Sequence, residues 1–494
     1  MRELGTLICW DTVMVFFRVV NLDWLGRGSL AVVLGMVAFV QTVEVAAKRP
    51  NILFIMADDL GWMDLACQGN KLVETPNIDR LARQGMRFTS AYAAAPVCSP
   101  TRAAVLTGQA PARVHMTSHL PGQFFPKDNR PQPAEMVPAI GPEHITIAER
   151  LKEVGYANAF LGKWHIAPSA GPRGKVAPGH SPLGQGFDIN IGGTSYGGPP
   201  SFFSPYSNAT LPDGEPGEYL PDRLVNEAIG FIRDNKAKPW MVHLWFYTVH
   251  WPMQAPKELL KKYANRTGPG LNDTRYGAMI EAMDLAVGRL LASLEALGLN
   301  DETLVVFTSD NGPVLDDGYA DQSVTLLGEH KPAGPFRGGK YSAFEAGTRV
   351  PTILYWPVSV QATVSDALVS QLDLYASIAM LVGIEPSDDA AMDSRNQLET
   401  WLGRSVTGRE YLIEESVGTL SLRRDNWKYI LPFDGRSGLE WVTDDKDIEG
   451  GFVMAPQLYD LENDPGERAN LADLYPELVG ELDAEARRIV STTY

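Results

Sequence analysis

Two uninterrupted apolar runs, each followed closely by acidic or amide residues, constrain the fold of this chain more than any other feature. The runs cover residues 51–57 and residues 303–308. Asp58 and Asp59 follow the first run directly, and Ser309 and then Asp310 and Asn311 follow the second. A continuous apolar run of this length is typical of a parallel strand that is buried on both faces of a sheet. We therefore expect two strands to deliver oxygen ligands at their carboxyl ends.

Two further apolar runs, at residues 157–161 and 241–249, are also followed by polar residues. Helical patterns lie between the runs, at residues 77–84, 145–153, 223–234 and 275–297. Strands that alternate with helices predict an α/β sheet, and ligands of such sheets bind beyond the carboxyl ends of the strands. We therefore expect the four polar clusters to meet in one pocket.

The pattern changes near residue 400. Short segments with turns, such as residues 427–431 and 457–461, predict a small antiparallel sheet that is followed by a final helix. A chain of 494 residues also exceeds the usual size of one domain. We divide it into an export segment at residues 1–47, a main domain at 48–400 and a smaller domain at 401–494.

Composition excludes some classes of function. The chain carries 43 Lys and Arg against 60 Asp and Glu, which gives a net charge of −17. This balance argues against a general nucleic-acid binder, and an anionic substrate would need cations concentrated in its pocket. The three cysteines, Cys9, Cys67 and Cys98, are too few for a disulfide framework.

The amino-terminal segment resembles an export signal. An apolar run at residues 30–40 follows Arg27, and the small residues Ala46 and Ala47 offer a cleavage site before Lys48. This pattern predicts a periplasmic or secreted protein. A retained membrane anchor is the alternative.

The sequence Cys98-Ser-Pro-Thr-Arg102 is the most informative stretch of the chain. Pro100 is suited to the first turn of a helix, so the sequence predicts Cys98 at a helix amino terminus. Free N–H groups and the helix dipole favour an anion there, and Arg102 can reach the same anion. An ordinary buried cysteine beside a helix start is the alternative.

This stretch resembles the modification motif of the type I sulfatases, in which the cysteine is oxidised to formylglycine. The resemblance extends over nearly all of the chain after residue 48. The matching segments are residues 58–61, 75–82, 98–108, 162–165, 309–312, 337–340, 345, 349–351, 458–465 and 470–472. It implies an alkaline-phosphatase-like fold, with a large, mostly parallel mixed sheet flanked by helices and a smaller C-terminal α+β subdomain.

The acidic and amide residues supply hard oxygen ligands, which suit calcium or magnesium better than zinc. The resemblance implies a calcium site formed by Asp58, Asp59, Asp310, Asn311 and the modified Cys98, and magnesium would also satisfy these ligands.

The resemblance also implies that Arg102, Lys163 and Lys340 contact the sulfate. His165 and His250 are candidates for proton transfer because imidazole titrates near neutral pH, and His250 would also contact the substrate. His115 follows the helix that carries Cys98. It is a candidate for the substrate pocket or, equally, for a structural or surface role.

The function implied is hydrolysis of a sulfate ester, and we expect a sulfated carbohydrate rather than a free aryl sulfate as the substrate. A formylglycine-generating maturation enzyme would be a required partner. A phosphonate or phosphate ester hydrolase on the same scaffold is one alternative. A non-catalytic protein that binds sulfated glycans, with Cys98 unmodified, is the other.

Overall fold

The computed structural model describes residues 48–121, 136–264, 266, 274–314, 332–385, 391–416, 419–433 and 450–493. The chain from Arg49 to Tyr494 makes one compact unit. The predicted export segment lies outside the described residues, and the predicted domain boundary near residue 400 stays a prediction. Within the described ranges, no helix combines the length and the apolar character needed to cross a lipid bilayer.

Strands and helices alternate along much of the described chain. The strands are β1 (Asn51–Ala57), β2 (Met86–Phe88), β3 (Ala91–Tyr92), β4 (Ala157–Gly162), β5 (Ile189–Ile191), β6 (Trp240–Trp245), β7 (Thr303–Ser309), β8 (Thr352–Tyr355), β9 (Thr363–Ser365), β10 (Val369–Ser370), β11 (Tyr411–Ser416), β12 (Thr419–Arg424), β13 (Trp427–Ile430) and β14 (Gln457–Asp460). The helices are α1 (Pro76–Gln84), α2 (Cys98–Thr107), α3 (Pro111–Val114), α4 (Ile147–Glu153), α5 (Leu220–Asn235), α6 (Lys257–Tyr263), α7 (Thr274–Ala296), α8 (Glu345–Thr348), α9 (Leu374–Leu381), α10 (Leu398–Trp401) and α11 (Pro476–Thr493).

The main sheet has the strand order β5-β4-β6-β1-β7-β8-β2-β9. Strands β5, β4, β6, β1 and β7 pair in parallel, and β8 runs antiparallel to both of its neighbours, β7 and β2. The predicted mixed, mostly parallel sheet is therefore confirmed.

Both faces of this sheet are buried, which explains the uninterrupted apolar runs. In β1, Leu53, Ile55 and Ala57 point into a core that also contains residues of α5 and α7. Their neighbours, such as Phe54 and Met56, point into a second core that also contains residues of α2, α4 and α9. Period-two alternation thus places every second residue of the strand in a different core.

One of the predicted boundaries needs correction. Strand β6 ends at Trp245, four residues before the predicted end, because the main chain at residues 248 and 249 pairs with Asp58 instead of continuing the sheet. Helix α2 begins at Cys98, which confirms the predicted position of this residue at a helix amino terminus. The other predicted strands and helices lie within a few residues of the observed ones.

The C-terminal region matches its predicted architecture. Strands β11, β12, β13 and β14 form an antiparallel sheet in chain order. Residues Leu422, Tyr429 and Leu458 of this sheet share a core with Leu482 and Ala486 of α11. The C-terminal helix thus covers one face of the smaller sheet.

A buried group of charges joins this smaller sheet to the main domain. Lys428 on β13 lies 3.1 Å from a carboxylate oxygen of Glu345 on α8 and 3.0 Å from one of Glu414 on β11. All three side chains are almost completely buried. Because α8 follows Lys340 closely in the chain, these ion pairs also anchor the segment that carries Lys340.

We expect Lys428→Met to lower the free energy of unfolding by about 3 kcal/mol or more, because it leaves two buried carboxylates without their shared cation. Urea denaturation of the full chain measures the change. The matched control is Lys262→Met, since Lys262 also pairs with two carboxylates but its side chain is 32% exposed. The control should cost less than about 1 kcal/mol. Equal losses in the two variants would show that the buried ion pairs have no special role.

Candidate functional site

Strands β1 and β7 are neighbours, and their pairing brings the predicted oxygen ligands together. Ala57 stands opposite Ser309, so Asp58 and Asp310 leave the sheet side by side. The N–H of Asp310 donates to the carbonyl of Ala57 at 3.0 Å, and the N–H of Asp59 donates to the Asp310 carboxylate at 3.2 Å. All the members of this group are buried, as expected for ligands that meet at one edge of a sheet.

Two lysines from distant parts of the chain lie against these carboxylates. The N–H of Lys163, which follows β4, donates to the carbonyl of Trp245 at the end of β6. Its ammonium group donates to both carboxylate oxygens of Asp58, at 2.9 and 2.8 Å. The ammonium group of Lys340 lies 2.9 and 2.8 Å from the two carboxylate oxygens of Asp59. Both lysines are almost completely buried.

Arg102 completes the set of cations. Its Nε and one Nη donate to the same oxygen of Asp310, at 2.9 and 2.6 Å, and the other Nη donates to the carbonyl of Lys163 at 2.6 Å. The guanidinium group also lies 5.3 Å from the ring centre of Trp245. Each of the three buried carboxylates thus has one close cation.

The electrostatic balance differs between the two adjacent aspartates. Burial raises the pKa of Asp58 well above its usual range; Lys163 opposes the shift, whereas Asp310 and Asp59 add to it. Burial also acts to raise the pKa of Asp59, but Lys340, His250 and Lys163 outweigh it and lower that pKa below its ordinary value. Burial and the neighbouring carboxylates therefore disfavour the ionised form of Asp58 in spite of its contact with Lys163.

The donor set fits a hard divalent cation. The side-chain oxygen of Asn311 is buried and has no hydrogen-bond partner among the described residues, while its NH₂ group donates to Asp59 at 2.7 Å. One potential ligand atom from each of Asp58, Asp59 and His250 lies within 4.8 Å of the others. Carboxylate and amide oxygens are the ligands that calcium and magnesium prefer. A cation here would satisfy the Asn311 oxygen and favour the ionised form of Asp58.

Cys98 lies at the first position of α2, beside His165. The sulfur is 3.3 Å from Nδ1 of His165, and Nε2 of the same ring is 2.9 Å from the carbonyl of Leu120. A carbonyl oxygen only accepts, so Nε2 carries the hydrogen and Nδ1 is the acceptor that faces position 98. Burial and the nearby Lys163 lower the pKa of His165 well below its usual range. The ring is therefore a neutral proton acceptor next to Cys98.

His250 lies beside Asp59. Its Nδ1 is 3.0 Å from the carbonyl of Trp251, and its Nε2 is 3.8 Å from the Asp59 carboxylate. Burial, then Lys340 and Lys163, lower its pKa well below the usual range. Nε2 therefore faces the charged cluster.

The structure brings the predicted residues into one cluster with the exception of His115. That side chain is exposed at the end of α3, and its contacts among the described residues lead toward Val137 and His144. His119, which sequence patterns did not indicate, lies nearer to the cluster. Burial and then the charges of His165, Lys340 and Lys163 lower its pKa. Both histidines lie outside regular strands and helices, so sequence periodicity could not predict the direction of either side chain.

Comparisons with known proteins find related proteins over most of the chain. The family model described as Sulfatase matches residues 50–384. An N-acetylgalactosamine-6-O-sulfatase of Bacteroides thetaiotaomicron is 35% identical, over 88% of this chain and 92% of that protein. Human arylsulfatase A is 31% identical, over 88% of this chain and 87% of that protein. A solved B. thetaiotaomicron structure, titled for the metabolism of multiple glycosaminoglycans, superposes with a TM-score of 0.74 at 33% identity, covering 90% of this chain and 99% of its own.

We expect the protein stripped with a chelator to gain stability when calcium or magnesium is returned. At a free cation concentration about one hundred times the dissociation constant, the gain should be about 2.7 kcal/mol. Thermal unfolding with and without cation measures it. Asp58→Asn should lose most of this gain because it removes one charged ligand.

The matched control is Asp284→Asn, since Asp284 is also fully buried but accepts hydrogen bonds from Asn77 and Ile78 on α1. This variant is expected to be less stable and yet to keep the gain from the cation. If Asp58→Asn keeps the full gain, the cation binds elsewhere.

Proposed function

The chain belongs to the sulfatase family, and we propose that it hydrolyses a sulfate ester of a carbohydrate at the cluster around Cys98. One observation carries the proposal. The cations of Arg102, Lys163 and Lys340 converge with three buried carboxylates beside a residue that stands at a helix amino terminus. A tetrahedral anion would meet positive groups there, although the chain as a whole has a net charge of −17.

We infer that a maturation enzyme converts Cys98 to formylglycine. Once formed and hydrated, this group would supply one hydroxyl to attack sulfur and a second to help expel the sulfate. His165 suits the second task because its Nδ1 accepts and lies 3.3 Å from the sulfur at position 98. It would take the proton of the second hydroxyl.

Asp58, Asp59, Asp310 and Asn311 would hold the cation, together with the modified residue 98. The cation would stabilise negative charge on the sulfuryl oxygens. The family resemblance favours calcium, and the oxygen donors also suit magnesium. The unpartnered side-chain oxygen of Asn311 supports this assignment.

Arg102, Lys163 and Lys340 would stabilise the charge on the sulfuryl group. His250, assisted by Lys340, would protonate the departing oxygen. Its pKa is lowered by burial and by Lys340 and Lys163, so the imidazole is neutral before the substrate binds. An anionic ester that engages both lysines would offset their effect and favour the protonated ring that a general acid requires.

The relatives' names indicate the substrate class to test first. The 35% identical relative is named for a 6-sulfated amino sugar, which supports N-acetylgalactosamine 6-sulfate as the first candidate. The human relative is named an arylsulfatase, so an aryl sulfate also belongs in the test. Export to the periplasm or outside the cell is proposed from the amino-terminal sequence, whether the segment is cleaved or retained as an anchor.

The purified, cation-loaded enzyme should turn over sulfated mono- and oligosaccharides and 4-nitrophenyl sulfate faster than an aryl phosphate or a phosphonate monoester. Cys98→Ala should lower kcat/KM by about a thousandfold or more because it removes the nucleophile. Cys67→Ala is the matched control, since that thiol contacts Asp79, which is not a member of the cluster, and it should retain activity.

Mass spectrometry of the peptide that contains residue 98 checks the modification. An intact thiol in protein from the native host would favour the non-catalytic glycan-binding alternative. A faster reaction with the phosphonate or phosphate monoester would favour the second alternative.

A glycine-rich loop packs against the rings of both proposed proton-transfer residues, His165 and His250. A Cβ at Gly197 would lie 2.9 Å from the ring of His165, and one at Gly198 would lie 2.8 Å from Nδ1 of His250 and 2.6 Å from the carbonyl of Trp251. Such distances are too short for any side chain. The two imidazole rings can therefore occupy their observed positions only because residues 197 and 198 are glycines.

We expect Gly198→Ala to displace the His250 ring and lower kcat by roughly ten- to a hundredfold, because small misplacements of reacting groups are costly. Steady-state kinetics with an aryl sulfate measures the loss. Gly179→Ala is the control, since a Cβ there meets nothing within 4 Å. The role assigned to this loop fails if the two variants have the same kcat.

A further inference from the structure

His119 is fixed beside the cluster by its neighbour in the chain. The N–H of Leu120 donates to the hydroxyl of Ser99 at 3.0 Å, and the carbonyl of Leu120 accepts from His165 at 2.9 Å. The main chain at this point is therefore attached both to the start of α2 and to the imidazole that faces Cys98. The side chain of His119 therefore starts from a main-chain position next to the site.

Tyr341 is also held next to the cluster, by contacts of its own main chain. It follows Lys340, which contacts Asp59, and its N–H donates to the carbonyl of Pro96 at 2.7 Å. The hydroxyl of Ser416 donates to the Tyr341 carbonyl. The residue has a φ of 71°, a conformation that costs energy for a residue with a side chain and that persists only where the surroundings impose it.

The two rings touch each other. Their centroids are 5.6 Å apart and the rings meet edge to face at 66°, while the ammonium group of Lys340 lies 5.8 Å from the centre of the Tyr341 ring. Both residues are only partly exposed. His119 and Tyr341 thus form a pair of contacting rings next to the cations of the site. We call them the neutral pair.

The neutral pair has polar atoms to offer to a ligand. Nδ1 of His119 lies 3.4 Å from the hydroxyl of Ser118. Within the described ranges, neither Nε2 of His119 nor the hydroxyl of Tyr341 forms a hydrogen bond with another residue. Water satisfies such partly exposed atoms in the free protein, and a ligand that displaces this water has to offer hydrogen bonds in its place.

The charge of the neutral pair points to the kind of group it would bind. Burial, then the charges of His165, Lys340 and Lys163, lower the pKa of His119 to about 3. Burial raises the pKa of Tyr341 above its ordinary value. An uncharged imidazole and phenol add little to the attraction of a sulfate that three cations already serve. They match a hydroxyl or another neutral group that both donates and accepts.

We propose that His119 and Tyr341 determine specificity by hydrogen-bonding a hydroxyl or amide group on the sugar ring that carries the sulfate. The proposal rests on the proposed function, since it requires a sulfated sugar as substrate. It adds a recognition element that is separate from the sulfate-binding cations.

The test compares a sulfated sugar with 4-nitrophenyl sulfate, which has neither a hydroxyl nor an amide group. His119→Ala and Tyr341→Phe should lower kcat/KM for the sugar roughly tenfold more than for the aryl sulfate, as expected for the loss of one hydrogen bond. Tyr341→Phe removes only the hydroxyl and keeps the ring, so it separates recognition from any disturbance of the loop that His119→Ala causes.

A binding measurement provides a readout that is independent of turnover. In a Cys98→Ala background, isothermal titration calorimetry should show roughly tenfold weaker binding of the sulfated sugar when His119 or Tyr341 is also changed. A deoxy analogue that lacks the recognised hydroxyl should bind equally well to the proteins with and without the added substitution, because the lost interaction is the same one.

Equal losses on the sugar and on the aryl sulfate would overturn the proposal, because the pair would then act on the sulfate or on the fold. A selective loss in His115→Ala instead of His119→Ala would overturn it in favour of the sequence-based candidate. An enzyme that cleaves aryl sulfates but neither binds nor cleaves any sulfated sugar also overturns it. Failure with every sulfate ester would refute the proposed function itself.

Discussion

The parallel pairing of β1 with β7 is the constraint on which the site depends. Ala57 stands opposite Ser309, and this register alone places Asp58 and Asp310 next to each other. A slip by one residue would turn each side chain of one strand to the other face of the sheet. Such a slip is prevented because both faces of β1 are packed into separate cores. The position of the ligands is therefore tied to the hydrophobic burial of the whole main domain.

Charge balance is the second requirement that the fold meets. Asp58, Asp59 and Asp310 lie out of contact with water, and an unpaired charge in that setting would cost several kcal/mol. Lys163 and Lys340 each compensate one aspartate, and Arg102 compensates the third. The cluster is thus assembled before any substrate arrives. A bound anion has to compete with carboxylates for the lysines, which favours a site in which a divalent cation shares the carboxylates.

Apolar runs and the polar residues at strand ends were sufficient to predict an α/β sheet and the meeting of Asp58 with Asp310. Pro100 was sufficient to predict Cys98 at the start of a helix. Contacts between distant loops could not be predicted in this way. Local patterns could not choose between His115 and His119, because neither lies in a periodic element and the sequence carries no signal for the direction of either side chain. The pairing of Lys428 with Glu345 could not be predicted either, since it joins strand β13 to the short helix α8, which is distant in the chain.

The start of α2 connects Cys98, the proposed reacting residue, to the two residues that we propose recognise the sugar. Pro96, two residues before Cys98, accepts from the N–H of Tyr341, and Ser99, one residue after it, accepts from the N–H of Leu120. Both members of the neutral pair are therefore positioned by the residues that flank Cys98. The proposed cations, Arg102, Lys163 and Lys340, would bind a sulfate whatever it is attached to, so they would not distinguish one ester from another. Discrimination requires groups at a fixed distance from the reacting atom, and loops anchored to its own helix turn provide that distance without altering the sheet.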